Sequence, residues 1–254
     1  MAPHSRHTPP PRTRSARSDG VETKALILQV AGRLFAEKGF ERTTSREICL
    51  AARANMAAVN YHFGSREGLY EAVLVEAHGQ LVRLDDLEAI GRLGDAPQDR
   101  LRAVIGLLAR RASGQEVPWG LRILVHEMMV APSPHIAVLM RKAVLPKVQI
   151  MMSIVASVLG LPADHPAVQR SLALVVMPSI MLTIAPRDLL RQVIPAAYDD
   201  EQALVDEMTR YAMAGLAAVA SAHGTESSHG PSAGTSSKRA RLHTKSRQPD
   251  RVRR

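Results

Sequence analysis

Between residues 40 and 70 the sequence places three helix-start signals so close together that the chain there has few ways to fold. Thr44 stands three residues before Glu47 in the pattern of a capping box, Asn55 precedes Met56, and Ser65 precedes Arg66 and Glu67. At each position a side-chain oxygen can accept from backbone N–H groups that a helix start leaves without partners. The segment therefore reads as a helix over residues 45–53, a tight turn, a short helix over 56–62, and the start of a longer helix after Ser65. Ile48, Leu50, Ala51 and Ala52 form the buried face of the first of these.

The flanks have helical periodicity as well. From Val21, Ala25, Leu26, Ile27, Leu28, Val30, Ala31, Leu34 and Phe35 make a broad apolar stripe, and Gly39 supplies the left-handed residue that ends it. After Ser65 the run Leu69, Tyr70, Val73, Leu74, Leu81 predicts a long helix reaching Leu87 or Gly91. Beyond the break at Gly94-Asp95-Ala96-Pro97, four or five more helices are expected. They fall at 98–112, 118–130, 135–159, from Pro166 onward, and 199–222. Pro178 should kink or end the one it lies in. Aromatic residues are only 3% of the chain, so the core is aliphatic and Met-rich, which suits packed helices. The fold class is all-α.

Charge divides the 254 residues more sharply than length does. Residues 1–20 carry four Arg against Asp19, and residues 224–254 carry eight Lys or Arg against two acids, so the whole formal charge of +9 lies in the two ends. Residues 21–223 sum to zero, and the two ends lack the apolar content to form a core. Four segments follow: a basic arm (1–19), a helix-turn-helix domain (20–67), a helical body (68–223) and a basic tail (224–254). Cys49 is the lone cysteine, compatible with a reducing cytoplasm. No uninterrupted run approaches the roughly 18 apolar residues of a membrane span, so no membrane association is expected. A Gly-rich phosphate loop, a His-Glu-x-x-His pair and a nucleophile elbow are all missing, and the histidines lack ligand spacing. No enzyme activity, cofactor or metal is implied.

Two short helices at a tight turn suit the major groove of DNA, the second entering it while the first spans the backbone. Thr43, Thr44 and Ser45 are hydroxyl donors at a helix N-terminus, where a phosphate is favoured, and Arg46 lies one residue further on. Met56, Ala57 and Ala58 open the second helix with groups small or apolar enough for close approach to thymine methyls. Asn60 has the paired donor and acceptor that suit adenine. Tyr61 and His62 can donate to phosphates on the groove wall, and Arg66 adds a cation.

The order of these residues resembles the TetR/AcrR family of bacterial transcriptional regulators. The matching positions are Phe35, Gly39-Phe40, Thr43-Thr44, Ile48, Tyr61-His62-Phe63 and Ser65-Arg66-Glu67-Gly68-Leu69, across residues 21–75. The string from Ala57 to Ser65, with Trp119, Glu127 and Pro132, resembles the subgroup related to the CecR regulators. Arg53 stands where the family often has Gly, and Arg66 where it usually has Lys. The resemblance implies a homodimer that binds a partly palindromic operator on double-stranded DNA and usually represses. It implies an N-terminal three-helix reader followed by a helical domain that binds a small-molecule effector and dimerises, the effector moving the fourth helix. Candidate effector contacts are Trp119, Arg122, His126, Met129, Met152 and Met177, with Met128 and Met151 beside them; Arg122 and Glu127 read as a surface pair. The final helix, rich in small residues from Ala212 to Ala220, and residues 165–184 are candidates for the dimer interface. The competing reading is a helical ligand-binding or scaffold protein whose basic ends give only nonspecific nucleic-acid affinity.

Overall fold

The structure, a computed structural model, describes residues 14–94, 96–113 and 118–224. Most of the expected basic arm and nearly all of the expected basic tail lie outside the described residues. Among the described residues there are helices and no strands. The chain forms α1 (Arg14–Lys38), α2 (Ser45–Ala51), α3 (Met56–Phe63), α4 (Arg66–Leu81), α5 (Leu84–Arg92) and α6 (Pro97–Ser113). It continues with α7 (Trp119–Val125), which runs into a π turn at His126–Val130, then α8 (Ile136–Leu139) and a second π turn at Met140–Val144 leading into α9 (Leu145–Leu159). The remaining helices are α10 (Pro166–Ile184), α11 (Arg187–Val193), α12 (Ala196–Asp199) and α13 (Glu201–Gly224).

Local signals place the first four helices. Thr44 accepts from the Glu47 N–H at 3.2 Å, Asn55 from the Ala58 N–H at 2.8 Å, and Ser65 from the Gly68 N–H at 3.1 Å. Gly39 and Gly64 close their helices at φ near +80°, where a Cβ would be strained. The start of α1 differs from the expectation: it begins at Arg14, inside the segment read as an arm.

Two cores hold the molecule. The first gathers Ile27, Ala31 and Phe35 of α1, Ile48 of α2, Val59 of α3 and Leu69, Val73, Leu74 and Ala77 of α4, and continues without a break into Ile123 and Leu124 of α7. The second joins α5, α6, α9, α10 and α13 through Leu87, Leu101, Ile105, Ile154, Val168, Leu172 and Leu216. The reader is thus seated on the body by α4 and α7. Gly120 lets α7 come so near α4 that a Cβ there would stand 2.7 Å from the Ala77 Cα. Gly32 likewise leaves room for the Trp119 ring, whose indole N–H donates to Gln29 Oε1 at 3.0 Å.

Four expectations are corrected. On α2 and its C-terminal cap, Ile48 and Ala52 are buried as expected, but Leu50 and Ala51 are exposed, because only one side of so short a helix meets the core. The helix after Ser65 does not reach Leu87: it stops at Leu81, where Val82 turns extended (φ −148°, ψ 122°) and buries its side chain, and α5 restarts at Leu84 with Asp85 and Asp86 in its first turn. Of the two outcomes expected at Pro178, a kink or an end, the end is excluded, since α10 runs on to Ile184. Helices 136–159 and 166–184 are each long and apolar enough, by length and composition, to cross a membrane, although charged residues interrupt any simple apolar run in the first. Both contribute to the second core through Ile154, Val155, Leu172 and Val175, and α10 also leaves Leu174, Met177 and Met181 exposed.

One buried polar pair joins α4 to α9. Lys147 is 4% exposed, with its Nζ 2.7 Å from His78 Nδ1 and donating to the His78 carbonyl at 3.3 Å. Burial, with the nearby Arg83 charge, pushes the Lys147 amine down from 10.5 to about 8. Burial and the Lys147 charge push His78 down from 6.5 to about 4. Unfolding restores the ordinary values, so the unfolded chain binds more protons than the folded one between pH 8 and 10.5. Stability therefore rises with pH across that window and falls as pH is lowered from 6.5 towards 4 through His78. Denaturant midpoints measured from about pH 7.5 to 10 should show the alkaline rise in the wild type and its loss in Lys147→Met.

Candidate nucleic-acid interface

The reader's framework is set by groups that face inward. Thr43 is fully buried, its hydroxyl donating to the Gly39 carbonyl at 2.8 Å. Its side chain holds the α1–α2 loop and is not presented to solvent, which corrects its reading as a phosphate donor. Arg66 is largely engaged too: its guanidinium lies 4.2 Å from the Phe40 ring centre and donates to the Thr43 carbonyl at 3.1 Å. It braces α4 against the same loop rather than standing free for DNA. Lys38 pairs with Glu47, and this ammonium is the main reason the Glu47 carboxyl is held below its usual range.

The remaining candidates form the outer surface. Thr44 and Arg46 are exposed at the start of α2, with Ser45 half-buried between them. On α3, Val59 is the buried anchor, Ala58 and His62 are half-buried, and Met56, Ala57, Asn60 and Tyr61 are exposed. Met56 with Asn60, and Ala57 with Tyr61, are four residues apart and so share one side of the helix. Tyr61 is 84% exposed, its ring edge-on to His62 at 5.0 Å. A large aromatic left so open contributes little to the core, and a ring and phenol displayed beside an amide and an apolar thioether are equipped for base edges and phosphates.

The α2–α3 turn is tight because the Ala54 N–H reaches back to the Cys49 carbonyl at 3.0 Å, and this closure puts Arg53 at φ 50°. Among the described residues Arg53 is the one non-glycine with positive φ. Left-handed backbone costs an L-residue about 1–2 kcal/mol. Arg53→Gly should stabilise the protein by about 1 kcal/mol, read as a rise of roughly 2–4 °C in thermal midpoint.

The candidate effector contacts do not converge on one cavity. Trp119 packs on α1, Met152 is half-buried beside the second core, and Met129 and Met177 face outward. Arg122 and His126 do meet, on a cleft of about 480 Å³ between the end of α1 and the α7 π turn, floored by Phe35, Phe40 and Tyr70. Glu127 is no surface partner of Arg122. It is 1% exposed and accepts from the Tyr70 hydroxyl at 3.0 Å and from the Ser133 N–H at 3.0 Å, tying α4 to the turn before α8. Burial, reinforced by that carboxylate, raises the Tyr70 phenol well above its ordinary range. Spacing alone could not reveal this contact, because its partners lie 57 residues apart.

Comparison with known proteins agrees with this architecture. Residues 27–73 match the family model described as bacterial regulatory proteins, tetR family. Residues 97–219 match that of the HTH-type transcriptional dual regulator CecR, C-terminal domain. The HTH-type transcriptional repressor Rv3405c of Mycobacterium tuberculosis is 38% identical over 79 residues, 31% of this chain and 42% of that protein. The repressor KstR2 of Rhodococcus jostii is 36% identical over 67 residues, 26% of this chain and 32% of its own length. The matched regions thus span less than half of these relatives. Among solved structures, a TetR-family regulatory protein from Rhodococcus RHA1 shares the fold at a TM-score of 0.54 and 20% identity, covering 76% of this chain and 95% of that one. These are regulators rather than enzymes. With a TetR-type reader at residues 27–73 and a CecR-type body at 97–219, the chain belongs to the TetR/AcrR family of bacterial transcriptional regulators, in its CecR-like subgroup.

Proposed function

We propose that this protein is a cytoplasmic, ligand-responsive regulator, in the usual case a repressor, that binds a partly palindromic operator as a homodimer. The observation that carries this is the exposed side of α3, where Met56, Ala57, Asn60 and Tyr61 stand clear of a core anchored by Val59. That side enters the major groove, while Thr44, Ser45 and Arg46 meet the backbone at the start of α2. The described part of the chain is near neutral, so affinity rests on these local contacts rather than on a general basic surface.

Dimerisation is supported by α10 and α13. Leu174, Met177 and Met181 are exposed on α10 and Tyr211 on α13, and Ala214, Gly215, Ala217 and Ala218 allow close helix approach. A second copy packed here would set the two copies of α3 about one DNA turn, roughly 34 Å, apart. A small-molecule effector acting on α4 would change that spacing and release the operator.

Footprinting across the protein's own chromosomal neighbourhood tests the reading. A protected partial palindrome, with affinity falling steeply as salt rises, is the expected outcome. Protection without sequence preference would overturn it.

A further inference from the structure

Two of the three described polar atoms that folding leaves over lie near one another at one end of the body. Among the described residues, the buried side-chain atoms without a hydrogen-bond partner are Arg100 Nε, Ser179 Oγ and Arg187 Nε. Two of these residues, Ser179 and Arg187, line neighbouring hollows between the C-terminal end of α4, the end of α6, α10 and the start of α11. A buried hydroxyl or guanidinium N–H without a partner costs about 1–3 kcal/mol. The loss at Arg187, in a hollow that also carries Arg110 and Arg111, marks a place built for an acceptor that the protein does not itself supply.

The hollows differ in character. One, of about 40 Å³, is an apolar slot formed by Leu81, Leu108, Ile180 and Ile184, with Ser179 in its wall. Ser179 is 1% exposed and its hydroxyl has no hydrogen-bond partner, while the neighbouring Thr183 hydroxyl donates to the Ser179 carbonyl at 2.8 Å. The next, of about 60 Å³, carries Arg110, Arg111 and Arg187, and no described acidic side chain lines it. A third, of about 200 Å³, opens outward past Arg111 and Arg83 and includes Glu76. Arg111 borders all three. Arg187 donates to the Arg111 carbonyl at 3.3 Å, so the two guanidinium-bearing helix ends are held side by side.

We propose that this end of the body binds a small amphipathic carboxylate. Its head lies against Arg111 and Arg187, where planar guanidinium groups offer paired donors to a carboxylate. Its short apolar tail enters the slot beside Ser179. The slot holds only a few carbons as it stands, so a tail of moderate length must part α10 from the Leu81–Val82 end of α4. Since α4 runs back into the core of the reader through Leu69, Val73 and Leu74, occupancy here acts on the helix that orients α3. That last step deepens the effector reading given above and rests on it; the binding itself does not.

Calorimetric titration of the full chain with hexanoate, acetate and hexanol tests the proposal, followed by operator-binding measurements with each compound present. Saturable binding of hexanoate is expected, with acetate (no tail) and hexanol (no head) at least tenfold weaker. Arg111 is exposed, so Arg111→Ala should leave the thermal midpoint in place while weakening hexanoate at least tenfold, and Arg111→Lys should restore only part of the loss. No hexanoate binding, equal binding of hexanol, or unchanged affinity in Arg111→Ala would each overturn the site. Hexanoate binding without operator release would uphold the site and overturn its regulatory role. Operator release by other compounds, with no hexanoate binding, would leave the regulator reading standing and overturn this one.

Discussion

Replacing Arg46 and Tyr61 together by alanine should lower operator affinity by about 2–6 kcal/mol, from some thirtyfold to complete loss in an ordinary assay. Each side chain is exposed and lies outside the first core, so neither is needed for folding and the thermal midpoint should stay in place. Each single change should cost about 1–3 kcal/mol. The two stand on different helices, so their effects should add to within a few tenths of a kcal/mol if they have no partner in common. Fluorescence anisotropy across a salt series separates their roles. Loss of a phosphate contact lowers the slope of log affinity against log salt by about one, whereas loss of a base contact leaves the slope and relaxes sequence preference. Unchanged affinity in both single variants would mean that the reading surface lies elsewhere.

The second large effect concerns how the reader is seated. Gly120→Val should destabilise the protein by about 3 kcal/mol, the upper range for overpacking a well-filled contact. The reason is steric and local. A Cβ at position 120 would stand 2.7 Å from the Ala77 Cα and 2.9 Å from the Ala77 Cβ, and backbone of another helix cannot rotate aside as a side-chain tip can. Relief requires α7 to move off α4, which also disturbs the Gly120 N–H donation to Gln80 Oε1 at 3.2 Å. Thermal unfolding should show a fall of roughly 6–12 °C. An unchanged midpoint would show that the two helices are not held this closely in solution.

The parts of the fold legible beforehand are those decided within a few residues. Thr44, Asn55 and Ser65 cap their helices because a hydroxyl or amide oxygen reaches an N–H three residues on, an interaction contained in its own stretch of chain. Gly39 and Gly160 end helices for an equally local reason, a backbone angle that other residues rarely adopt. Errors arose where partners were remote. Val82 breaks a helix that its sequence would continue, because its side chain is taken up by the second core while Leu74 and Ala77 belong to the first. Pro178 lies within α10 and does not end it, because Val175, Val176 and Ser179 on either side of it are buried against neighbouring helices.

The same division runs through the functional residues. Patterning singled out the right segment for the reader, yet it could not say which way each polar side chain would point. Thr43 and Arg66 turn inward to hold the α1–α2 loop, while Arg46, Asn60 and Tyr61 turn outward. Methionines at helical spacing suggested an effector pocket, but the hollows with unsatisfied polar groups are bordered instead by Arg111, Ser179 and Arg187 from three helices. By itself the sequence determined an all-α chain, the three capped helix starts at Thr44, Asn55 and Ser65, the family, and the placing of net charge at the two ends, since periodicity, capping and composition are short-range properties. Only the tertiary structure decided which of those groups face solvent, where α4 stops, that Glu127 is buried against Tyr70, and where donors are left without acceptors. Each of these depends on which distant segment arrives alongside, and burial changes the cost of a polar group by more than any local preference can offset.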